Sequence, residues 1–241
     1  MRFTSHLGLN AGVFFFSACL YANPIVGQID TFSSSMLGWD TGTRGPTQPA
    51  LISSGGPGGA GDSFLQLTSD GSGSDGRLTV FNRDQWTGNF LTSAVTGIEM
   101  DLKDFGSTPL SIRVGLKSAT AQGSPGYTSA TAFNLPADGQ WHHAVFSLDQ
   151  ADLTAVGSAP ALTSLLANVA EFRILNAANP RLTGDAVVGQ LGIDNIRADA
   201  ATPTPVPEPS VKMALALGTG LLLCFSKVRS TRRPAKPRMS I

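Results

Sequence analysis

Apolar and polar residues alternate with a period of two through most of the chain. Leu110, Ile112, Val114 and Leu116 alternate with Ser111, Arg113 and Lys117. Ile98, Met100 and Leu102 alternate with Glu99 and Asp101, and Phe172 and Ile174 with Glu171 and Arg173. Successive side chains of a strand point to opposite faces, so each pattern predicts a half-buried β-strand. Further strands are predicted at 28–32, 63–68, 77–81, 141–148 and 188–198. In the fourth of these, Ala144, Phe146 and Leu148 form an apolar face that includes His142, while Trp141, His143, Val145 and Ser147 form the other. Leu162, Leu165 and Leu166 have helical spacing, which predicts a turn or two of helix over 160–167; a second is expected over 149–156. Short strands separated by Gly, Pro and Asp turns predict an all-β fold, an antiparallel jelly-roll β-sandwich occupying residues 23–201 as one domain without repeats.

Two apolar stretches break the alternation. In residues 1–22, Arg2 precedes an apolar core from Leu7 to Leu20 and then small residues, the pattern of a secretory signal peptide cleaved after Ala22. Phe16-Ser17-Ala18-Cys19 has the spacing of a lipoprotein box, with phenylalanine where leucine is usual. Near the other end, Pro203, Pro205, Pro207 and Pro209 bias residues 202–210 to an extended linker that cannot pair with itself. A single transmembrane helix is expected over 211–228. Its apolar run from Val211 to Phe225 spans roughly 22 Å as a helix, short of the roughly 30 Å hydrocarbon core. Lys212 and Lys227 can snorkel at its two ends. Arg229, Arg232, Arg233, Lys236 and Arg238 in the tail, 229–241, predict a cytoplasmic end and an exported bulk.

Charge sharpens this division. The formal net charge is zero, yet 9 of the 17 basic and 16 of the 17 acidic residues lie within 23–201, leaving that body at −7. This argues against nucleic acid and against an anionic membrane surface as partners. The two cysteines, Cys19 and Cys224, fall in the terminal segments, so the body has no disulfide, thiol nucleophile or zinc thiolate.

The ordered set Val206-Pro207-Glu208-Pro209, short apolar run, then Arg229, Arg232 and Arg233 resembles the C-terminal sorting signal of PEP-CTERM proteins. These are exported proteins of Gram-negative bacteria associated with biofilm and exopolysaccharide production. The resemblance covers the last forty or so residues. It implies processing at Pro207-Glu208-Pro209 by exosortase, a transpeptidase-like membrane enzyme. It also implies transient anchoring in the inner membrane, then residence at the cell surface or in the extracellular matrix. One departure is the tail, which continues through Pro234 to Ile241 beyond the arginines. In the body, Phe64-Leu65-Gln66-Leu67, Gly139-Gln140-Trp141, Phe146-Ser147-Leu148 and Ile193-Asp194-Asn195-Ile196 resemble galactose-binding-like jelly rolls. That likeness implies a carbohydrate-binding domain and a structural calcium joining acids near the first and last strands, with Asp30 and Asp194 as ligands and Asp62 as a third.

The remaining chemistry is sparse. The body's two histidines, His142 and His143, are adjacent on a strand, point to opposite faces and cannot share a site; no Gly-x-Ser-x-Gly elbow accompanies them. Glycoside hydrolysis needs only two carboxylates, and Glu99 with Asp101 on one strand face supplies a pair, as would any solvated strand. The glycine-rich stretch 55–61 lacks the Gly-Lys-Ser/Thr ending of a phosphate loop and is followed by a strand, which makes it a turn. Asp70 to Gly76 has acid spacing without the glutamate of an EF-hand. Trp39, Trp86 and Trp141 are the candidate platforms on which a sugar ring would stack. The expectation is a non-enzymatic exported surface or matrix protein that binds exopolysaccharide. Its alternatives are a secreted glycan-active enzyme using paired carboxylates and a ligand-free structural surface protein.

Overall fold

In the computed structural model, residues 23–42, 48–72 and 76–200 are described. The segments expected to be the signal peptide, the Pro-Glu-Pro linker, the transmembrane helix and the basic tail lie outside them. No helix among the described residues is long and apolar enough to cross a membrane.

Among the described residues, thirteen strands and one short helix follow in order: β1 Ile29–Asp30, β2 Trp39–Asp40, β3 Ala50–Ile52, β4 Phe64–Asp70, β5 Thr79–Asn82, β6 Gly97–Asp104, β7 Leu110–Lys117, β8 Gly126–Ser129, β9 Phe133–Leu135, β10 Trp141–Ser147, β11 Leu153–Val156, α1 Leu162–Leu166, β12 Glu171–Asn176 and β13 Val188–Asp199. They build two antiparallel sheets. The first runs β10-β6-β13-β4-β3, with β1 also on β13; the second runs β11-β8-β7-β12-β5-β2, with β9 also on β7. Leu65, Leu67, Ile98, Met100, Leu102, Ile193 and Ile196 from the first sheet meet Val80, Ile112, Val114, Leu116, Phe172 and Ile174 from the second in one buried cluster. The alternation in the sequence is the cause. Each strand has one apolar face, and only face-to-face packing removes both sheets' apolar sides from water.

The expected strands are present, and the helix over 160–167 forms as α1 with its three leucines buried. The helix expected over 149–156 does not form. Leu153–Val156 instead pairs with β8, Leu153 opposite Ser129 and Ala155 opposite Tyr127, so an edge of the second sheet gains a strand where the local pattern was ambiguous. Strands β2, β3, β8 and β9 were not evident in the sequence. They are two to four residues long, too short for a period to declare itself.

A larger departure is the outer side of the second sheet. The polar positions Arg113 and Lys117 alternate away from the core, yet both are buried. Loops cover them. The Arg113 guanidinium donates from Nε to the Ala177 carbonyl (2.9 Å), from Nη1 to those of Ser129 (2.6 Å) and Ala130 (2.9 Å), and from Nη2 to that of Ala178 (2.9 Å). One side chain therefore pins two loops to the sheet. Leu182 folds over Gly115, where a Cβ would lie 2.8 Å from its methyl carbon.

Strand β13 carries a bulge. Its register with β6 shifts between Asp194 and Arg197, and Asn195 sits at φ 50°. Asparagine is among the few residues that accept this left-handed conformation. The bulge lets Ile193 and Ile196 both face the core, and Asp194 lies 0% exposed between them.

Candidate functional site

The outer face of the first sheet assembles the exposed aromatic and polar groups. Cross-strand register places Trp141 (β10), Lys103 (β6), Gly192 (β13) and Gln66 (β4) in one row. The next row outward along β10 and β6 pairs His143 with Asp101, and Asp101 with Asp194. Period two puts these alternate residues on the same side, opposite Met100, Leu102 and Ile193.

Three rings converge above Gly192. Phe64 and Trp141 meet edge-to-face at 5.3 Å between centroids, and Phe64 stacks on Phe105 at 5.7 Å. A Cβ at Gly192 would lie 2.9 Å from Phe105 and 3.0 Å from Trp141, so only glycine lets the rings lie on the backbone. Phe64 is buried beneath, while Phe105 is 36% exposed and Trp141 partly so. The Lys103 ammonium lies 4.7 Å from the Phe105 centroid and 6.0 Å from that of Trp141, within cation–π range.

The glycine stretch that resembled a phosphate loop is the rim of this platform. Trp141 Nε1 donates to the Gly55 carbonyl at 3.0 Å. Asp62 closes the loop by accepting from Gly58 N at Oδ2 (2.6 Å) and from Gly56 N at its carbonyl (2.9 Å). Gly55, Gly59 and Gly61 all have positive φ, which a tight turn here requires.

Beside the rings lies a polar network. His143 Nδ1 is 3.0 Å from Asp101 Oδ1, and its Nε2 is 3.4 Å from Glu99 Oε2. Asp101 Oδ2 accepts from Asn195 Nδ2 at 2.8 Å. The hydrogen bond to Asp101, aided by the negative charges of Asp101 and Glu99, raises the His143 pKa against a partial burial that lowers it. Asp194 Oδ1 accepts from Asn195 N at 2.8 Å, but its buried Oδ2 has no partner. Burial, then the charges of Asp62 and Asp101, push its pKa up to about 7.

The sequence-derived candidates separate. Trp141 stands on this face. Trp39 and Trp86 do not: they are 2% and 0% exposed between the sheets and cannot stack on a sugar. Trp86 lies against Phe172 at 5.4 Å, and Trp39 meets the same ring edge-on at 5.8 Å. The polar residues around Trp86 in the sequence suggested exposure, but they form the turn that carries the indole inward. Asp30 is likewise interior. Its Oδ2 accepts from Trp39 Nε1, Trp86 Nε1 and Gln85 Nε2. Asp194 feels the charges of Asp62 and Asp101, whereas Asp30 is held among the core indoles and does not join them. Among the described residues, no three His, Cys, Asp or Glu are grouped to hold a metal ion.

Glu99 and Asp101 do share a face, about 7 Å apart along the strand. Both are engaged: Glu99 by His143 and, at 3.5 Å, by Arg197, and Asp101 by His143 and Asn195. His142 keeps the core-side parity but sits at the strand's start, where Nε2 lies 3.0 Å from both oxygens of Asp138. Phe64, Phe105, Lys103 and Gly192 were missed. The available signal was parity: Lys103 and Phe105 continue the outward positions of Glu99 and Asp101.

No family model matches the chain, and no curated protein matches it. Among solved structures, it is similar to a family 11 carbohydrate-binding module from Clostridium thermocellum, in complex with a β-1,3-1,4-mixed-linked tetrasaccharide: 15% identity, 73% of this chain and 97% of that one, TM-score 0.48. It is also similar to the CBM22-1 xylan-binding domain of Paenibacillus barcinonensis Xyn10C, with 14% identity, 74% and 99% covered, and TM-score 0.39. A third is an exo-β-agarase, of which this chain covers 25% at 13% identity and TM-score 0.49.

Proposed function

We propose that the β-sandwich is a non-enzymatic polysaccharide-binding domain and that the outer face of the first sheet is its binding face. One observation carries the reading: the accessible rings of Phe105 and Trp141 share a sheet face with the polar side chains of Lys103, Gln66, His143, Asp101 and Asn195. A pyranose has an apolar face of C–H groups and an edge of hydroxyls. The rings suit the first, and fixed donors and acceptors suit the second. The carboxylates of Glu99 and Asp101 position His143 and Asn195 rather than standing ready as acid and nucleophile.

The terminal motifs supply the setting. Export by the N-terminal signal, transient anchoring by the apolar run and exosortase-type processing at Pro207-Glu208-Pro209 would deliver the domain to the cell surface or biofilm matrix.

The test is titration of the purified protein with neutral oligosaccharides, followed by tryptophan fluorescence and calorimetry. Binding without release of reducing ends is expected, and Trp141→Ala should abolish it. Turnover that disappears in Glu99→Gln or Asp101→Asn would replace this reading with that of a glycan-active enzyme.

A further inference from the structure

The outer side of the second sheet holds a charge imbalance. Glu171 on β12 is fully buried, and three cations converge on its carboxylate. Arg83 Nε is 2.7 Å from Oε2, Lys117 Nζ is 3.2 Å from Oε1, and Arg173 Nε also donates to Oε1. Antiparallel register sets Glu171 directly opposite Lys117. One carboxylate thus faces three positive charges, inside a body whose formal charge is −7.

Solvent relieves little of this excess. The Lys117 side chain is 2% exposed and that of Arg173 14%. Burial lowers the Lys117 pKa most, Arg173 and Arg83 lower it further, and Glu171 opposes them as the one acid acting on it. Conversely, the attraction of Arg173, Arg83 and Lys117 holds the Glu171 pKa down against its burial. Packing alone gives no reason to bury Lys117 and Arg173 together, one cation more than the acid can balance.

The excess has one outlet. The Arg83 side chain is 42% exposed. Its guanidinium lies 4.2 Å from the centroid of Phe81, whose ring Arg173 also approaches at 5.5 Å. Nε is committed to Glu171, and the outer edge makes one long bond, Nη2 to the Thr120 carbonyl at 3.5 Å. The ring and the salt bridge hold the guanidinium fork in place, and apart from that long bond its Nη groups are uncommitted on a side chain that is 42% exposed. A planar carboxylate fits such a fork with two parallel hydrogen bonds.

We propose that the Arg83 edge, backed by Lys117 and Arg173, binds the carboxylate of an acidic polysaccharide, as in a chain of uronate residues. The inference rests on the polysaccharide reading above and adds the charge class of the ligand and a second locus on the other sheet. The bound carboxylate supplies the anion that the cluster lacks.

The probes are oligogalacturonate and its neutral methyl ester, titrated by calorimetry, with arginine Nε–H resonances followed by NMR. The acid should bind at least about tenfold more tightly than the ester and shift the Arg83 resonance. Arg83→Gln should erase that preference with an unchanged circular dichroism spectrum. Arg83→Lys, which keeps the charge on Glu171 but loses the fork, should lose most of it and carries the test if the glutamine variant loses its fold. Trp141→Ala should leave the Arg83 shift intact. Equal affinity for acid and ester, or an undiminished preference in Arg83→Lys, overturns the proposal. Neutral glycans bound through Trp141 with no response to oligogalacturonate overturn this inference alone. Failure of every glycan, neutral and acidic, overturns the polysaccharide reading together with it.

Discussion

Trp86 Nε1 donates to Asp30 Oδ2 at 2.8 Å, and Trp39 Nε1 donates to the same oxygen at 2.7 Å. A single carboxylate at the start of the body thereby holds two indoles that lie far apart in sequence, within the inter-sheet core. Burial raises the Asp30 pKa, and the two indole bonds and that from Gln85 oppose the rise. Asp30→Ala leaves two indole N–H groups unpaired in the interior and should cost roughly 3–5 kcal/mol. Asp30→Asn keeps an acceptor and should cost about half as much. Urea denaturation measures both. An alanine variant within about 1 kcal/mol of the parent would show that the carboxylate is not the anchor.

Glu171 makes a second stability prediction. Glu171→Ala strips the acid from Lys117 and Arg173, both largely buried. A loss of roughly 3–5 kcal/mol is expected, nearly all from those two, since Arg83 is half in water. The pH dependence has a definite sign. The folded pKa of Glu171 lies below its unfolded value of 4.5, so its stabilisation is present above that value and is lost as pH falls through the folded pKa. Glu171→Gln should flatten this acid limb in thermal denaturation scans from pH 6 to 3.

Asp194 acts in the opposite direction. Its folded pKa, about 7, lies above the unfolded 3.8. From about 4 up to about 7 the folded state holds a proton that the unfolded state has released, so stability falls as pH rises across that window. Asp194→Asn should match the parent near pH 4 and exceed it at pH 8 by up to roughly 3 kcal/mol. His143, whose pKa is also raised, loses stabilisation as pH rises, which is why the difference between the two proteins, not the parent curve alone, is the measurement. A constant difference across pH would remove Asp194 as its source.

Gly192→Ala tests the platform without touching a polar group. The added methyl would sit about 3 Å from both Phe105 and Trp141, so the rings must move. A stability cost of roughly 1–3 kcal/mol is expected, together with a shift in tryptophan emission and weaker oligosaccharide binding. Unaltered binding would place the sugar elsewhere.

Trp39 and Trp86 show why site assignment from sequence was limited. Nothing local separates a core indole from an exposed one; the distinction came from Asp30, nine and 56 residues away. Trp141 was locatable by parity on a strand with a clear apolar face, and Phe105 by continuing the parity of β6. The covering of Arg113 and Lys117 was not legible, because it depends on loops 118–125 and 177–187 folding back over the sheet.

The sequence by itself determined the longer strands and their inward faces, since period-two alternation is a property of neighbouring residues and survives any arrangement of the sheets. It also determined the charge division between body and termini. Tertiary structure alone decided which aromatic rings meet, which carboxylates share a face and which cations are buried. Each of those depends on register between strands distant in the chain, such as Trp141 with Lys103 and Gly192, or Glu171 with Lys117. A slip of one residue would have sent every one of them to the other face.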